Sequence, residues 1–194
     1  NNSTQNFQGL FGVVSGGNEF KDITLDSVDV TGKNNVSGFI GKAGNVSIDN
    51  VNVSGSLTGA QYIGLLIGWS GSGTTVSVTN STGSGTVQAS NSSAGGLFGY
   101  LQGTATIRNC AASVDVTSTS TIAGGLAGYV TTGSIDQSSA AGNIQGGSSV
   151  GGLVGYSFNT SIDSSYATGS ITISAGSYFG GLVGQARNSS AKIT

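Results

Sequence analysis

The stretch GGLFGY occupies residues 95–100, and close copies of it recur along the whole chain. Strong copies are GGLAGY at 124–129, GGLVGY at 151–156 and GGLVGQ at 180–185, and weaker ones are QGLFGV at 8–13, SGFIGK at 37–42 and GLLIGW at 64–69. The closing glycines lie 29, 27, 31, 29, 27 and 29 residues apart, at Gly12, Gly41, Gly68, Gly99, Gly128, Gly155 and Gly184. Self-similarity at a fixed period of this length is typical of a solenoid.

Four apolar columns keep the same register. The motif leucine position gives Leu10, Phe39, Leu66, Leu97, Leu126, Leu153 and Leu182. Five residues before each closing glycine stand Phe7, Val36, Ile63, Ala94, Ala123, Val150 and Phe179. Seven to thirteen residues after it stand Leu25, Ile48, Val78, Ile107, Ile135, Ile162 and Ile193, and nine residues further on stand Asn34, Leu57, Val87, Val116, Ile144 and Ile171. Such short stretches between Gly, Ser, Thr and Asn indicate strands.

The fold predicted from these columns is all-β, a right-handed parallel β-helix (β-solenoid). We expect about seven coils of about 28 residues with three short strands each, standing roughly 30 Å tall at the usual strand spacing. One array fills residues 1–194, with coils starting near 7, 36, 63, 94, 123, 150 and 179 and the last one incomplete. The motif glycines are expected at sharp turns that need positive φ.

The composition excludes several classes of function. Only 6 Lys and Arg are present, so the chain lacks the clustered positive charge that binds the phosphates of nucleic acids. With no His, zinc-protease and Ser-His-Asp chemistry is excluded, and we predict no enzyme activity, no metal and no cofactor. No apolar run approaches the roughly 20 residues that span a bilayer, so membrane insertion is not expected. The absence of Met indicates a processed chain or an excerpt, and either suits an exported protein.

The seven G-G-L-x-G copies resemble the GLUG motif over nearly the whole chain. In that family the motif occurs in large exported proteins, including bacterial adhesins and the region outside the catalytic domain of some immunoglobulin A1 proteases. The resemblance implies a β-helical, surface-exposed stalk. It carries no information about a ligand.

An aromatic column follows the closing glycines. It consists of Val13, Lys42, Trp69, Tyr100, Tyr129, Tyr156 and Gln185. Two interpretations stay open for its four aromatic members: they form a structural ladder over glycine-rich turns, or they bind sugar rings or a partner. Two positions before it lies an apolar column, Phe11, Ile40, Ile67, Phe98, Ala127, Val154 and Val183. Either the strand bends between this column and the leucines, or the column needs a cover such as a lateral partner.

Carboxylates recur directly after the isoleucine column. The register predicts Asp26 over Asp49 and Asp136 over Asp163, at about 5 Å. Such a pair could suit a retaining glycosidase or a calcium ion. Exposed aspartates that bind turn backbone are the favoured interpretation.

Cys110 and the sequons complete the candidate sites. Cys110 falls where other coils place Val28, Val51, Ser81, Ser138 and Ser165, so we expect a small, buried and unreactive side chain. The sequence Asn-x-Ser/Thr predicts glycosylation, conditional on export through a glycosylating pathway. Besides Asn1, the candidates are Asn2, Asn35, Asn45, Asn52, Asn80, Asn91, Asn159 and Asn188.

The leading hypothesis is a structural module of a secreted, extracellular or cell-surface protein, either an adhesin stalk or a filament subunit. Neither end resembles a capping coil, so the expected partners are flanking repeats or copies of the chain at the open coil ends. The alternative is a carbohydrate-binding surface that uses the aromatic column, with host or matrix glycans as partners. A glycan-processing β-helix enzyme is the remote third.

Overall fold

The computed structural model describes residues 4–119, 121–174, 176, 178–188 and 193. The strands in chain order are β1 (Phe11–Val14), β2 (Asn18–Thr31), β3 (Asn34–Val36), β4 (Ile40–Ala43), β5 (Val46–Gly59), β6 (Gln61–Ile63), β7 (Ile67–Ser70), β8 (Thr75–Thr79), β9 (Thr82–Ala89), β10 (Ala94–Gly95), β11 (Phe98–Arg108), β12 (Ala111–Ser118), β13 (Ile122–Gly124), β14 (Ala127–Asp136), β15 (Ser139–Ala140), β16 (Ile144–Gly146), β17 (Ser149–Gly151), β18 (Val154–Phe158), β19 (Thr160–Asp163), β20 (Tyr166–Ala167), β21 (Ile171–Ile173), β22 (Tyr178–Gly180) and β23 (Val183–Arg187). In these residues no helix has the length and hydrophobicity needed to cross a bilayer.

Two parallel sheets surround one core. The smaller sheet contains β3, β6, β10, β13, β17 and β22, and the other seventeen strands form the larger sheet. Each strand pairs with its equivalent in the next coil, as Ala94 pairs with Ala123 and Ala123 with Val150. The prediction of an all-β parallel solenoid is confirmed.

The stack has about six turns rather than seven, one for each strand of the smaller sheet. The seven closing glycines enclose only six intervals. Beyond the last motif, the described residues add β23 and one bridge from Ile193 to Ile162. Three strands per coil are found in β10 to β12, whereas the preceding coil has four, because residues 71–74 interrupt its path between β7 and β8.

The motif glycines serve close packing of backbones, and our expectation of positive φ at them was wrong. None of the glycines of the strong motif copies has positive φ. A Cβ added to Gly95 would lie 2.2 Å from the Phe98 oxygen, and one added to Gly99 would lie 2.4 Å from the Ile63 nitrogen. The corner between the two sheets therefore closes only where side chains are absent.

The leucine column and the column after it both face the core. Leu97 and Leu126 are fully buried, and so are Phe98 and Ala127, which follow them. Successive side chains do not alternate strictly between the core and the outer face, because the chain bends at the motif leucine, between β10 and β11 and between β13 and β14. The bend explains the second column, which needs no lateral partner to cover it.

The first coil departs from the predicted register. The isoleucine column is correct from Ile48 onward, but Phe20, not Leu25, pairs with Ile48. Phe20 can fill this position because it packs against Phe11 and Phe39, with ring centroids 4.9 and 5.1 Å apart. An aromatic cluster thus closes the core at this end of the stack.

A further assignment in the first coil was wrong for a related reason. Val30, not Asn34, pairs with Leu57, so that column is apolar throughout. The predicted register of this coil was displaced because Leu25 had been assigned to the isoleucine column. In addition, β2 contains a one-residue bulge between Leu25 and Val28.

The smaller sheet starts one residue later than expected. Gln8, not Phe7, bridges to Val36. Phe7 has φ 58°, like Asn35 and Tyr62 at φ 55° in the following coils, so it belongs to the bend before the strand.

Candidate functional surface

The aromatic column lies along one side of the larger sheet. Trp69 pairs with Lys42 on one side and Tyr100 on the other, and Tyr129 lies between Tyr100 and Tyr156. All five side chains are half-buried. The four aromatic residues therefore do lie on consecutive coils, each set by the closing glycine before it.

The tyrosines of this column contact one another. Ring centroids are 4.6 Å apart for Tyr100 and Tyr129, and 4.4 Å apart for Tyr129 and Tyr156, which stack at 16°. Tyr62 extends the row at 5.2 Å from Tyr100. Burial, with the neighbouring phenols, raises the pKa of Tyr129 to about 12. Because stacked rings cover each other's faces, this part of the column fits a structural ladder.

Trp69 has a different environment. The Lys42 ammonium lies 5.0 Å from its ring centroid, a cation–π distance. Both residues line an open groove together with Asn45, Gln102 and residues 71–74. An aromatic wall, an ammonium and two amides are groups that can hold a sugar with an acidic substituent.

The first predicted carboxylate pair does not exist. Lys21, not Asp26, lies over Asp49, because Phe20 takes the column position assigned to Leu25. The Asp49 carboxylate accepts hydrogen bonds from Thr79 Oγ1 at 2.7 Å and Asn80 Nδ2 at 2.8 Å. These bonds lower the pKa of Asp49. Asp49 therefore stabilises the turn of the adjacent coil.

The second predicted pair is present. Asp136 pairs in register with Asp163, as expected. On its other side, Arg108 Nε lies 3.4 Å from Asp136 Oδ2. No group of three or more acidic, Cys or His side chains is placed to hold a metal in the part of the chain that the structure describes. The Arg108 contact favours a structural role for Asp136.

A column of left-handed residues next to these carboxylates was missed from sequence. Positive φ values between 47° and 55° occur at Asp22, Asn50, Asn80, Asn109, Gln137 and Ser164. Asn109 Nδ2 donates to Asn80 Oδ1 at 2.7 Å, and Asn50 Nδ2 donates to Asp22 Oδ1 at 2.7 Å. Asn and Asp tolerate this backbone better than most residues. The recurrence of Asn at 50, 80 and 109 was the available signal.

A serine column runs through the interior beside it. Ser138 Oγ donates to the Asp136 oxygen at 2.8 Å and accepts from the Cys110 nitrogen at 3.1 Å. Ser165 Oγ accepts in the same way from the Ser138 nitrogen at 3.0 Å. Each hydroxyl thus links its own coil to the coil before it.

Cys110 occupies a position in this column that is a serine in the neighbouring coils. Its thiol donates to the Arg108 oxygen at 3.3 Å and is 1% exposed, so the predicted burial is confirmed. Val28 was wrongly assigned here, because Ile23 pairs with Val51. Burial raises the pKa of Cys110 to about 11.

We expect Cys110 to resist modification in the native chain. At pH 8 a thiol reagent should label it only after denaturation, because the thiol is buried and protonated. Since folding raises this pKa above the unfolded value, the unfolded state releases the proton first. The free energy of unfolding should therefore fall between about pH 9 and 11, by roughly 2 kcal/mol. Cys110→Ser should remove this pH-dependent fall in the free energy of unfolding, as measured by urea denaturation of both proteins. Rapid labelling of native protein at pH 8 would contradict the assignment.

Two buried serines allow a direct test of the serine column. Ser81 Oγ donates to the Thr79 oxygen at 2.7 Å and accepts from the Val51 nitrogen at 3.0 Å. Ser70 is equally buried, yet its hydroxyl has no hydrogen-bond partner among the described residues. Ser81→Ala should therefore lower the free energy of unfolding by about 1–3 kcal/mol, whereas Ser70→Ala should leave it unchanged or raise it by about 1 kcal/mol. Equal losses in urea denaturation would refute the role given to the column.

The sequons differ in accessibility. Asn2 lies outside the described residues. Asn35 is only 7% exposed, so burial removes it from the glycosylation candidates. The other candidates divide into exposed side chains, Asn45, Asn80, Asn91 and Asn188, and half-buried ones, Asn52 and Asn159. Glycan occupancy at these positions stays a prediction.

Comparison with protein families supports the repeat assignment. The GLUG motif matches three consecutive segments, 90–117, 119–145 and 146–172. These segments contain three of the four strong motif copies, those that start at Gly95, Gly124 and Gly151. Searches of curated proteins and of solved structures gave no match. The chain therefore carries GLUG repeats, with three of them in tandem over residues 90–172.

Proposed function

We propose that this β-solenoid repeat module is a non-catalytic structural part of a secreted or cell-surface protein. It acts as a rigid stalk or as a subunit of an extracellular filament. The GLUG repeats and the parallel stack support a module of this kind. Its partners are other coils of the same type, and its work is extension and display.

One observation carries this proposal: polar and aromatic side chains of one coil bind or contact the neighbouring coil. The Asn80 side chain joins those of Asp49 and Asn109. The hydroxyls of Ser138 and Ser165 accept from backbone nitrogens of the preceding coil. The Tyr129 ring lies against that of Tyr100 and stacks on that of Tyr156. Polar columns of this kind support the stack in the same way as the apolar core does. Such an arrangement resists bending and suits a rigid, extended element.

The test combines location and rigidity. Antibodies against the folded chain should label intact cells that produce it, and small-angle scattering should fit a stiff particle. A variant in which residues 119–145 are duplicated should be longer by about 4.8 Å, because one more coil is added. Retention of the chain inside the cells, or scattering typical of a flexible chain, would refute the proposal.

The Trp69 groove favours a second candidate function, the binding of an acidic saccharide. Trp69 would stack on a sugar ring while Lys42 pairs with its carboxylate. Calorimetry with uronic-acid oligosaccharides should detect binding that Trp69→Ala abolishes. Tyr129→Phe is the matched control, since its ring is already stacked within the column. Absence of binding, or unchanged binding by Trp69→Ala, would exclude this use of the groove.

A further inference from the structure

The two ends of the stack differ in chemistry, whereas the sequence had led us to expect no cap at either end. We propose that the first coil is a cap that blocks pairing at its free edge, whereas the opposite face docks one further coil of the same repeat type. This inference rests on the proposed structural function and selects one of its two forms, because a capped first coil fits a stalk and opposes a filament of head-to-tail copies. The docked segment is a coil that contains the Leu-x-Gly motif. It pairs through the edge that faces the amino-terminal end of the stack, and it lacks the charged residues of the first coil.

The cap is β2, which in the described part of the chain pairs only with β5 and is the longer of the two edge strands of the larger sheet at this end. The shorter one, β1, carries no charge, and Leu10 beside it and Val13 within it are exposed, so the protection lies on β2. This strand has five exposed charged side chains: Glu19, Lys21, Asp22, Asp26 and Asp29. Its neighbour β5 has one charged residue, Asp49. Charges on an edge strand oppose pairing with another strand, because pairing would partly desolvate them.

A bulge adds to the protection. The register between β2 and β5 shifts between Leu25 and Val28, and Ser27 has φ 57°. The extra residue is held in place, because Ser54 Oγ accepts from the Ser27 nitrogen at 3.2 Å. A strand with a bulge cannot form a regular ladder on its free side. Charges and a bulge are the two devices that natural sheets use at protected edges.

The opposite edge has neither device over most of its length. Within the described residues, the strands β20, β21 and β22 each pair on one side only, and they contain no charged residue. Their large side chains are exposed: Tyr166 61%, Ile173 37%, Tyr178 47% and Phe179 60%. Exposed apolar side chains along unprotected strands are typical of a surface that another strand covers.

The motif glycines define what this face accepts. In interior coils, a Cβ at the second motif glycine would lie 2.2 Å from a carbonyl oxygen of the next coil, as at Gly125 and Gly152. At Gly181 the same position is open. The closing glycine of the incoming coil is also needed, because a Cβ at Gly184 would lie 2.6 Å from the Val150 nitrogen of the preceding coil. The face is therefore shaped for a coil with the same corner.

A second copy of the chain with its cap removed is the probe. In the uncapped variant, Glu19→Ser, Lys21→Thr, Asp22→Asn, Asp26→Ser and Asp29→Ser introduce residue types found at equivalent positions of later coils, and Ser27 is deleted. The wild-type chain should not stack head to tail, whereas the uncapped variant should form end-to-end chains in electron microscopy and sedimentation. Adding Gly181→Ala should weaken this association at least tenfold without altering the monomer, since its Cβ meets nothing within 4 Å there.

Each outcome bears on one part of the proposal. Head-to-tail chains of wild-type protein would refute the cap, and a folded uncapped variant that stays monomeric would refute the docking face. Association that Gly181→Ala leaves unchanged would refute docking in register. If the deletion prevents folding, the five substitutions without it provide the same test. Rigidity of the wild-type monomer in scattering tests the structural function separately, whatever the result for stacking.

Discussion

Gly125→Ala is expected to lower the free energy of unfolding by more than about 4 kcal/mol, although it adds a single methyl group. The new Cβ would lie 2.2 Å from the Gly152 oxygen and 2.6 Å from the Ala140 Cβ. Relief would require two coils to separate, which would break the backbone hydrogen bonds between them, such as that from the Gly125 nitrogen to the Gly152 oxygen at 3.1 Å. Urea denaturation followed by circular dichroism measures the loss.

Gly181→Ala is the matched control, because Gly181 occupies the same place in the last motif copy. Its Cβ meets no atom of the described residues within 4 Å, so the free energy of unfolding should change by less than about 0.5 kcal/mol. The contrast separates close packing from conformational freedom, since neither glycine has positive φ. Equal destabilisation by the two substitutions would show that the motif glycine is required for another reason.

The repeat explains why most of the fold was predictable from sequence. Side chains of one column must lie above one another, so the spacing of Ile107, Ile135 and Ile162 is enough to identify a paired register. The error at Leu25 arose in the first coil, where Phe20 replaces the aliphatic residue and the bulge lengthens β2. Irregularity at a solenoid end is expected, because an edge strand has only one partner to fit.

The candidate sites were less predictable than the fold. The aromatic column was visible in the sequence, but the rings of its tyrosines pack against one another, which depends on distances that the sequence does not contain. The role expected of the motif glycines was wrong for a similar reason. A glycine at a corner suits either a positive φ or a close backbone contact, and only the interatomic distances separate the two. The column of Asn50, Asn80 and Asn109 could have been found by its period.

The second large effect is expected at the leucine column, with Leu126→Ala. Leu126 is fully buried between Leu97 and Leu153, which are fully buried as well. Truncation would leave a cavity inside the stack, because the coils on both sides are fixed by their backbone hydrogen bonds. Buried Leu-to-Ala changes cost about 2–5 kcal/mol, and we expect the upper part of that range for a site that cannot collapse.

Leu10→Ala is the control within the same column. Leu10 stands at the end of the stack and is 56% exposed, so its truncation should cost less than about 0.5 kcal/mol in the same urea titration. A gradient from the end to the middle of one column would demonstrate that the core is continuous along the axis and that stability is held in the interior coils. Equal losses at Leu10 and Leu126 would contradict this, because they would mean that the first coil supports the stack as much as the middle does.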